Sequence, residues 1–207
     1  MKGHKWFAAT YDRLLALQEK KYLGAVREDL LKDLSGTVLE IGAGTGANFP
    51  YYKNGALVIA TEPDPYMLER ARKRAAEVPA NIELHQVPAE DLPFPDDMFD
   101  FVVDTLVLCS VREPARALSE IKRVLKPGGE VRLFEHVRYE QRFGALAQDI
   151  ITPVWRWFGA GCHPNRDTGR AVREAGFEVV SERKEMAPVP PIIPSRPHLL
   201  LVARRPE

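Results

Sequence analysis

The sequence predicts an α/β fold: a seven-stranded, mostly parallel sheet with helices on both faces and an antiparallel last strand. Three observations carry this. Short apolar or β-branched runs alternate with helix-length segments from Val38 to Val137. A glycine-rich turn, Gly42-Ala43-Gly44-Thr45-Gly46, follows directly on the first of those runs. After Gly176 the pattern changes: Phe177 to Arg183 and His198 to Ala203 read as strands with no helix between them, hence a hairpin with an antiparallel edge strand.

Each element follows from its own residues. Trp6 to Leu34 reads as one or two amphipathic helices, because Leu23, Val26, Leu30, Leu31 and Leu34 recur at helical spacing. The Ser35-Gly36 turn leads into Val38 to Ile41, a buried strand, and Leu57 to Ala60 is the second apolar run. Pro65 to Val78 makes a helix with Met67 and Leu68 on its apolar side and Arg70, Arg72, Lys73 and Arg74 outward. Ile82 to Val87 is the third strand and Phe101 to Thr105 the fourth. Pro114 opens a helix to Leu125, as proline does in a first helical turn, and Lys126-Pro127-Gly128-Gly129 stops it. Val131 to Val137 is the fifth strand. Tyr139 to Arg166 is longer than a plain connection requires. Asp167 to Ala175 is a short helix, and Ala187 to Pro197 a stiff proline-rich loop.

At 207 residues the chain is read as one domain, 1–207, with residues 1–34 as an N-terminal helical cap and 139–166 as a lid. Basic and acidic residues balance at 29 each, which leaves no global field to attract nucleic acid or an anionic membrane. The two cysteines, Cys109 and Cys162, stand far apart with no CxxC spacing, so neither a disulfide scaffold nor a metal site is expected. No apolar run approaches the ~20 residues of a membrane span, and Met1-Lys2-Gly3-His4-Lys5 lacks a secretory signature. A cytoplasmic protein is expected. Trp6 and Phe7, beside Lys2 and Lys5, are the one patch suited to a lipid surface, and membrane contact is not favoured.

The glycine turn is the most informative stretch. Alternate glycines let the backbone bend and approach a ligand with no Cβ in the way. Glu40 stands just before the bend, where a carboxylate suits a cationic ligand better than a pyrophosphate; this points to S-adenosylmethionine. Gly42, Gly44 and Ala47 also fit the dinucleotide fingerprint, so a nicotinamide oxidoreductase is the rival reading of the turn. Glu62, after the second strand, stands where either cofactor class needs a carboxylate for ribose hydroxyls.

Three further segments follow in order: Val87-Pro88-Ala89-Glu90-Asp91-Leu92-Pro93-Phe94-Pro95, Phe99-Asp100-Phe101-Val102-Val103 and Leu125-Lys126-Pro127-Gly128-Gly129. Together with Leu39 to Phe49 they resemble class I S-adenosylmethionine-dependent methyltransferases over nearly the whole chain, and the ordered set is far more specific than any one member. The resemblance implies a Rossmann-like sheet with the seventh strand inserted antiparallel, and S-adenosylmethionine as cofactor with S-adenosylhomocysteine as product. It places the backbone of Gly42, Gly44 and Gly46 against the methionine part and Glu62 on the ribose, with Asn48 and Pro63 in the cofactor-contacting set. Ala89, Glu90 and Asp91 would flank the adenine, Met67 would cover one of its faces, and Thr105 and Leu106 would line the sulfonium side. Ala8-Ala9-Thr10-Tyr11-Asp12 resembles the opening segment whose tyrosine closes over the cofactor, a role that falls to Tyr11.

Methyl transfer from a sulfonium is a direct displacement, so positioning carries much of the rate. A thiol acceptor, with a pKa near ~8.5, is partly ionised at neutral pH, whereas a phenol or carbon acid needs a base. His136, ending the fifth strand, is the candidate base, against a plain structural histidine. Asp104 and Thr105 should face opposite ways, so only Thr105 is taken into the site. Cys109 is read as a small buried residue with no catalytic role. Within 139–166, Trp155 and Trp157 suit a lid over an apolar acceptor, or a helix face packed on the sheet. His163 and Arg166 suit a polar tail of the substrate, unless Arg166 and Asp167 simply cap the next helix.

Leu39 to Asn48, Thr105 to Val111, Glu135-His136-Val137 and the Pro153-x-Trp155 to Gly161-Cys162 segment resemble the methyltransferase-like-7 group, whose animal members include membrane-associated alkyl thiol S-methyltransferases. The hydrophobic anchor of those animal proteins does not open this sequence, and His163-Pro164-Asn165 departs from their pattern. A small, largely apolar methyl acceptor follows, with a thiol ahead. A quinone or phenol C- or O-methyltransferase, a phospholipid N-methyltransferase and a non-catalytic S-adenosylmethionine-binding module are the alternatives.

Overall fold

A computed structural model of the protein describes Asp12, residues 16–53 and residues 55–207. Tyr11, Trp6 and Phe7, expected as a cofactor lid and a lipid-facing patch, lie outside the described residues.

The N-terminal cap passes through a π-helical turn, Glu19–Leu23, into α1 (Gly24–Leu31). Leu23, Val26, Leu30, Leu31 and Leu34 are all buried, as their spacing predicts. Then come β1 (Gly36–Ile41), β2 (Ala56–Thr61), α2 (Pro65–Ala75), β3 (Asn81–His85) and β4 (Phe99–Thr105). The second half comprises α3 (Pro114–Val124), β5 (Leu125–His136), α4 (Arg142–Phe158), α5 (Thr168–Glu174), β6 (Glu178–Met186) and β7 (Pro197–Arg204). Asp64 caps α2 by accepting from the Tyr66 and Met67 amides, and Pro65 fills the first helical position. The helix stops at Ala75, short of the predicted Val78. Asp167 caps α5 by accepting from the Arg170 amide, and Gly176, with φ 78°, closes it.

The seven strands pair in the order β3-β2-β1-β4-β5-β7-β6. All pairs from β3 to β5 are parallel, while β7 runs antiparallel to both β5 and β6. The hairpin is as the local pattern predicts, and its antiparallel strand is inserted between β5 and β6, as the family resemblance implies, instead of lying at the edge as the pattern alone suggests. Composition explains the choice. Leu199, Leu200, Leu201 and Ala203 of β7 are buried and can occupy an interior position, whereas Ser181, Glu182, Arg183 and Lys184 of β6 are exposed, as befits an edge.

Two apolar cores flank the sheet. One gathers Leu39, Ile41, Val102, Leu133 and Leu201 with Leu118 and Ile121 of α3 and Val172 of α5. The other gathers Val38, Val58, Val103, Phe134 and Leu200 with Leu30 and Leu31 of α1 and Ala71 of α2. Strand order reverses between β1 and β4, which opens a crevice at their carboxyl ends, the usual ligand position in such sheets.

Candidate active site

Beyond β1 the chain turns through three left-handed glycines, with φ 56° at Gly42, 59° at Gly44 and 80° at Gly46. A Cβ on Gly42 would lie 2.6 Å from the Val107 side chain, and one on Gly46 would lie 2.5 Å from the Phe49 ring, so both serve the packing of the turn. Gly44 differs: among the described residues a Cβ there meets nothing within 4 Å.

Two carboxylates bracket the turn. Glu62, after β2, accepts from the Gly44 amide through Oε2 and from the Asp64 amide through Oε1, each at 2.8 Å. Burial raises its pKa, and those two amides pull it back. Glu40 is buried at the end of β1; it accepts from Asn48 Nδ2 at 3.0 Å and from the Tyr52 hydroxyl at 2.8 Å. Burial lifts its pKa to about 7 against those hydrogen bonds and the nearby Arg27 charge.

Asn48 is the hub of this end of the sheet. Its Nδ2 also donates to Thr105 Oγ1 at 3.0 Å, and its Oδ1 accepts from Arg27 at 2.6 Å. Arg27 itself is buried and paired with Glu19 of the π-helical turn at 2.8 Å. The N-terminal cap is docked on the glycine turn a second time, through Asp12, which accepts from Thr45 Oγ1 at 2.6 Å and from Arg74 at 3.0 Å.

The remaining predicted cofactor residues fall on the segments that follow β2, β3 and β4. Pro63 continues from Glu62, and its carbonyl accepts from Gln86 at 3.4 Å. Met67 is buried yet packs into neither apolar core. Ala89 is buried. The Glu90 carboxylate accepts from the Arg112 and Glu113 amides at 2.9 and 3.4 Å, so that oxygen secures the start of α3 instead of pointing to an adenine. Asp91 follows on the same turn, its amide donating to the Pro88 carbonyl at 3.3 Å. Leu106 takes a left-handed φ of 63°, which costs a leucine energy and marks a constrained loop where β4 ends.

Asp104 and Thr105 do face opposite ways. Thr105 meets Asn48, whereas Asp104 lies fully buried against Glu135, and burial followed by their mutual repulsion raises the Asp104 pKa well above its usual range. Glu135 also accepts from the Cys109 amide at 3.0 Å.

On the acceptor side the structure revises several expectations. Cys109 and Cys162, distant in sequence, are neighbours: their Sγ atoms are 3.7 Å apart, and each lies 3.5 Å from His136 Nδ1. His136 is half-buried and tilts against His198 with ring centroids 4.8 Å apart. His198 is pushed down to about 3, by burial and then by His136, so it is neutral. Segment 139–166 is a docked helix and turn: buried Gln148 donates to the carbonyls of Val137, Pro164 and Pro194 at 2.8–3.2 Å and accepts from the Tyr139 amide. Trp155 is half-buried with its Nε1 enclosed, but Trp157 is 81% exposed. Trp157 belongs to an outward apolar stripe with Phe143, Leu146, Ile150 and Val154, because two residues along a helix turn the side chain about 200°. The two tryptophans therefore do not form one lid surface. Arg166 donates to the carbonyls of Leu108 and Val111, and the His163 amide donates to the Cys109 carbonyl at 2.7 Å. The Arg166 side chain and the His163 main chain thus clamp the loop after β4, while Asp167 alone caps α5. Burial and the charges of Arg166 and Arg156 lower the His163 pKa.

Sequence reasoning missed Arg27, Tyr52, Gln148 and the cysteine pair. Arg27 had a signal: it interrupts the apolar stripe four residues from both Leu23 and Leu31. The cysteines had none, since only the fold brings them together.

Residues 39–133 match the family model described as "Methyltransferase domain". Thiol S-methyltransferase TMT1B of Rattus norvegicus is 38% identical to this chain, across 90% of it and 81% of that protein. A phosphatidylethanolamine N-methyltransferase of Cereibacter sphaeroides is 41% identical across 74% of this chain and 75% of its own length. The fold is shared with a crystal structure of a SAM-dependent methyltransferase from Thermotoga maritima, with TM-score 0.70, 24% identity and 97% of each chain covered. Among the described residues no helix is long and apolar enough to cross a membrane. The chain belongs to the S-adenosylmethionine-dependent class I methyltransferases, in the family that includes the thiol S-methyltransferases TMT1A and TMT1B.

Proposed function

We propose that this enzyme transfers the methyl group of S-adenosylmethionine to the sulfur of a small, largely apolar thiol. The observation that carries the reading is the relationship to thiol S-methyltransferases, which spans 90% of the chain and so runs well beyond the matched 39–133 segment.

The residues fit the cofactor. The open face of Gly44 is a cradle that any side chain would fill, and Glu62 stands beside it with a lone pair on each oxygen beyond those the two amides occupy. In this reading the Gly42–Gly46 backbone holds the amino-acid end, Glu62 the ribose, Met67 and Ala89 the adenine, and Thr105 and Leu106 the reacting end. Glu40, held by Asn48 and Tyr52, supplies the negative charge beneath a cationic ligand. When bound, S-adenosylmethionine supplies an activated methyl on sulfur. Asn48 and Arg27 keep the floor of the site rigid, so a nucleophile meets a fixed target. The loop after β4, clamped by Arg166, forms the wall on the acceptor side.

A thiol acceptor needs no strong protein base. His136 presents Nδ1 to two thiols, so it is not used here as a free proton acceptor. A second reading, methylation of a phospholipid amine, is favoured by the Cereibacter relative and by the outward apolar stripe of α4. Competition separates the two: purified enzyme with S-adenosylmethionine is offered an alkyl thiol and phosphatidylethanolamine vesicles together. Methyl thioether as the main product supports the thiol reading; methylated lipid as the main product replaces it.

A further inference from the structure

Cys109, His136 and Cys162 come from three elements: the loop after β4, the end of β5 and the turn after α4. Their facing atoms are separated by 3.5 Å from Nδ1 to each sulfur and by 3.7 Å between the sulfurs. A tetrahedral zinc, with Zn–S about 2.3 Å and Zn–N about 2.0–2.1 Å, separates two sulfurs by about 3.8 Å and a sulfur from a nitrogen by about 3.5–3.6 Å. All three edges match one face of that tetrahedron. A disulfide would need only the sulfurs, at about 2.05 Å, and gives no reason for a nitrogen equidistant from both.

The arrangement is held in place from outside. Cys109 is fixed by its amide on Glu135 and its carbonyl on the His163 amide, and Arg166 ties the same loop to the segment that carries Cys162. Among the described residues this is the one cluster of three or more His, Cys, Asp or Glu whose ligand atoms converge so closely. Both cysteines are buried, at 1% and 5% exposure, where two lone thiolates would be costly. Two thiolates with a divalent cation and a neutral imidazole carry no net charge.

We propose that Cys109, His136 and Cys162 bind a divalent cation of the zinc class, with the acceptor thiolate as its fourth ligand. Three protein ligands leave a fourth position to be filled, as in catalytic zinc of the Cys2His set, and soft sulfur ligands select such a cation over magnesium or calcium. The fourth-ligand assignment rests on the thiol-acceptor reading above. On coordination the acceptor R–SH gives its proton to water and keeps its electron pairs on sulfur, since a metal-bound thiol is deprotonated outright. The site then supplies a thiolate at neutral pH with no protein base.

The test is anaerobic titration of reduced, metal-stripped, full-length protein with Co(II). The proposal expects saturation at a single equivalent, with sulfur-to-cobalt charge transfer and the intense visible bands of tetrahedral cobalt, displaced by Zn(II). A saturating alkyl thiol should then shift those bands. Cys109→Ser and Cys162→Ser, each checked for folding by circular dichroism, should weaken binding by more than about tenfold and lose charge-transfer intensity. Octahedral cobalt, no binding in the folded wild type, or unchanged bands in both variants overturns the site. The wild-type spectrum alone decides if a serine variant fails to fold. Tetrahedral bands indifferent to the alkyl thiol overturn the fourth-ligand assignment. None of these readouts needs turnover, so intact bands without methyl transfer to the thiol count against the proposed function and not against the metal site.

Discussion

The Gly44 amide donates to Glu62 Oε2 at 2.8 Å, which ties the glycine turn to the end of β2. One carboxylate thus shapes the cradle and, in the proposed cofactor placement, would also receive the ribose.

Glu62→Ala should therefore act twice. It removes the acceptor for a ribose and releases the Gly44 and Asp64 amides. The expected loss in S-adenosylhomocysteine affinity is ~1.5–3 kcal/mol, accompanied by a lower melting temperature. Calorimetric titration and thermal unfolding check both effects, and an unchanged affinity contradicts the placement of the cofactor.

Glu40 predicts a pH dependence of the cofactor-free protein. Its carboxyl is lifted from 4.5 to about 7, chiefly by burial. An acid whose pKa is higher folded than unfolded makes its full contribution below the unfolded value and loses it as pH rises through the folded one. The loss between those two values is on the order of 3 kcal/mol. Glu40→Gln should abolish it, so the variant gains stability relative to wild type between pH 5 and pH 8. Urea unfolding at the two pH values measures the difference; a gap that does not change with pH contradicts the assignment.

Arg27 acts on the site from outside it. Arg27→Met leaves the buried Asn48 Oδ1 without its donor and the partly exposed Glu19 without its cation, which costs about 1–3 kcal/mol of stability. Because Asn48 also holds Glu40 and Thr105, S-adenosylhomocysteine affinity should fall although Arg27 is not placed on the ligand. Lower stability with affinity intact would reduce Arg27 to a structural pair.

The two tryptophans of α4 should separate. Trp155→Ala removes a half-buried ring and should destabilise by about 1–3 kcal/mol, whereas Trp157→Ala on the outer stripe should change stability by less than about 0.5 kcal/mol. Turnover of a water-soluble thiol should survive the second substitution. A large loss of that turnover in Trp157→Ala would return Trp157 to the acceptor site.

Much of the fold was legible because strands and helices announce themselves through local periodicity, as in Val38 to Ile41 and in the buried stripe from Leu23 to Leu34. The glycine turn with Glu40 beside it was legible for the same reason, whereas Glu62, 18 residues beyond Gly44, joins the turn only through the parallel pairing of β1 with β2. What was not legible depends on pairings across the sheet. The choice of β7 over β6 as the interior strand turns on which strand is apolar along its length, as Leu199 to Val202 are; the hairpin pattern alone does not fix it, whereas the family resemblance does. The meeting of Cys109 with Cys162 requires β4, β5 and α4 to be in place first. Glu90 was expected at the adenine from the family resemblance and Arg166 on a polar tail of the substrate, and both side chains satisfy backbone groups of the neighbouring loop.

The central claim, methyl transfer to a thiol sulfur, is tested most directly by incubating purified enzyme with S-adenosylmethionine and a simple alkyl thiol and quantifying S-adenosylhomocysteine and methyl thioether together. The account predicts both in equal amounts over many turnovers. Tight S-adenosylhomocysteine binding with no thioether formed would contradict it.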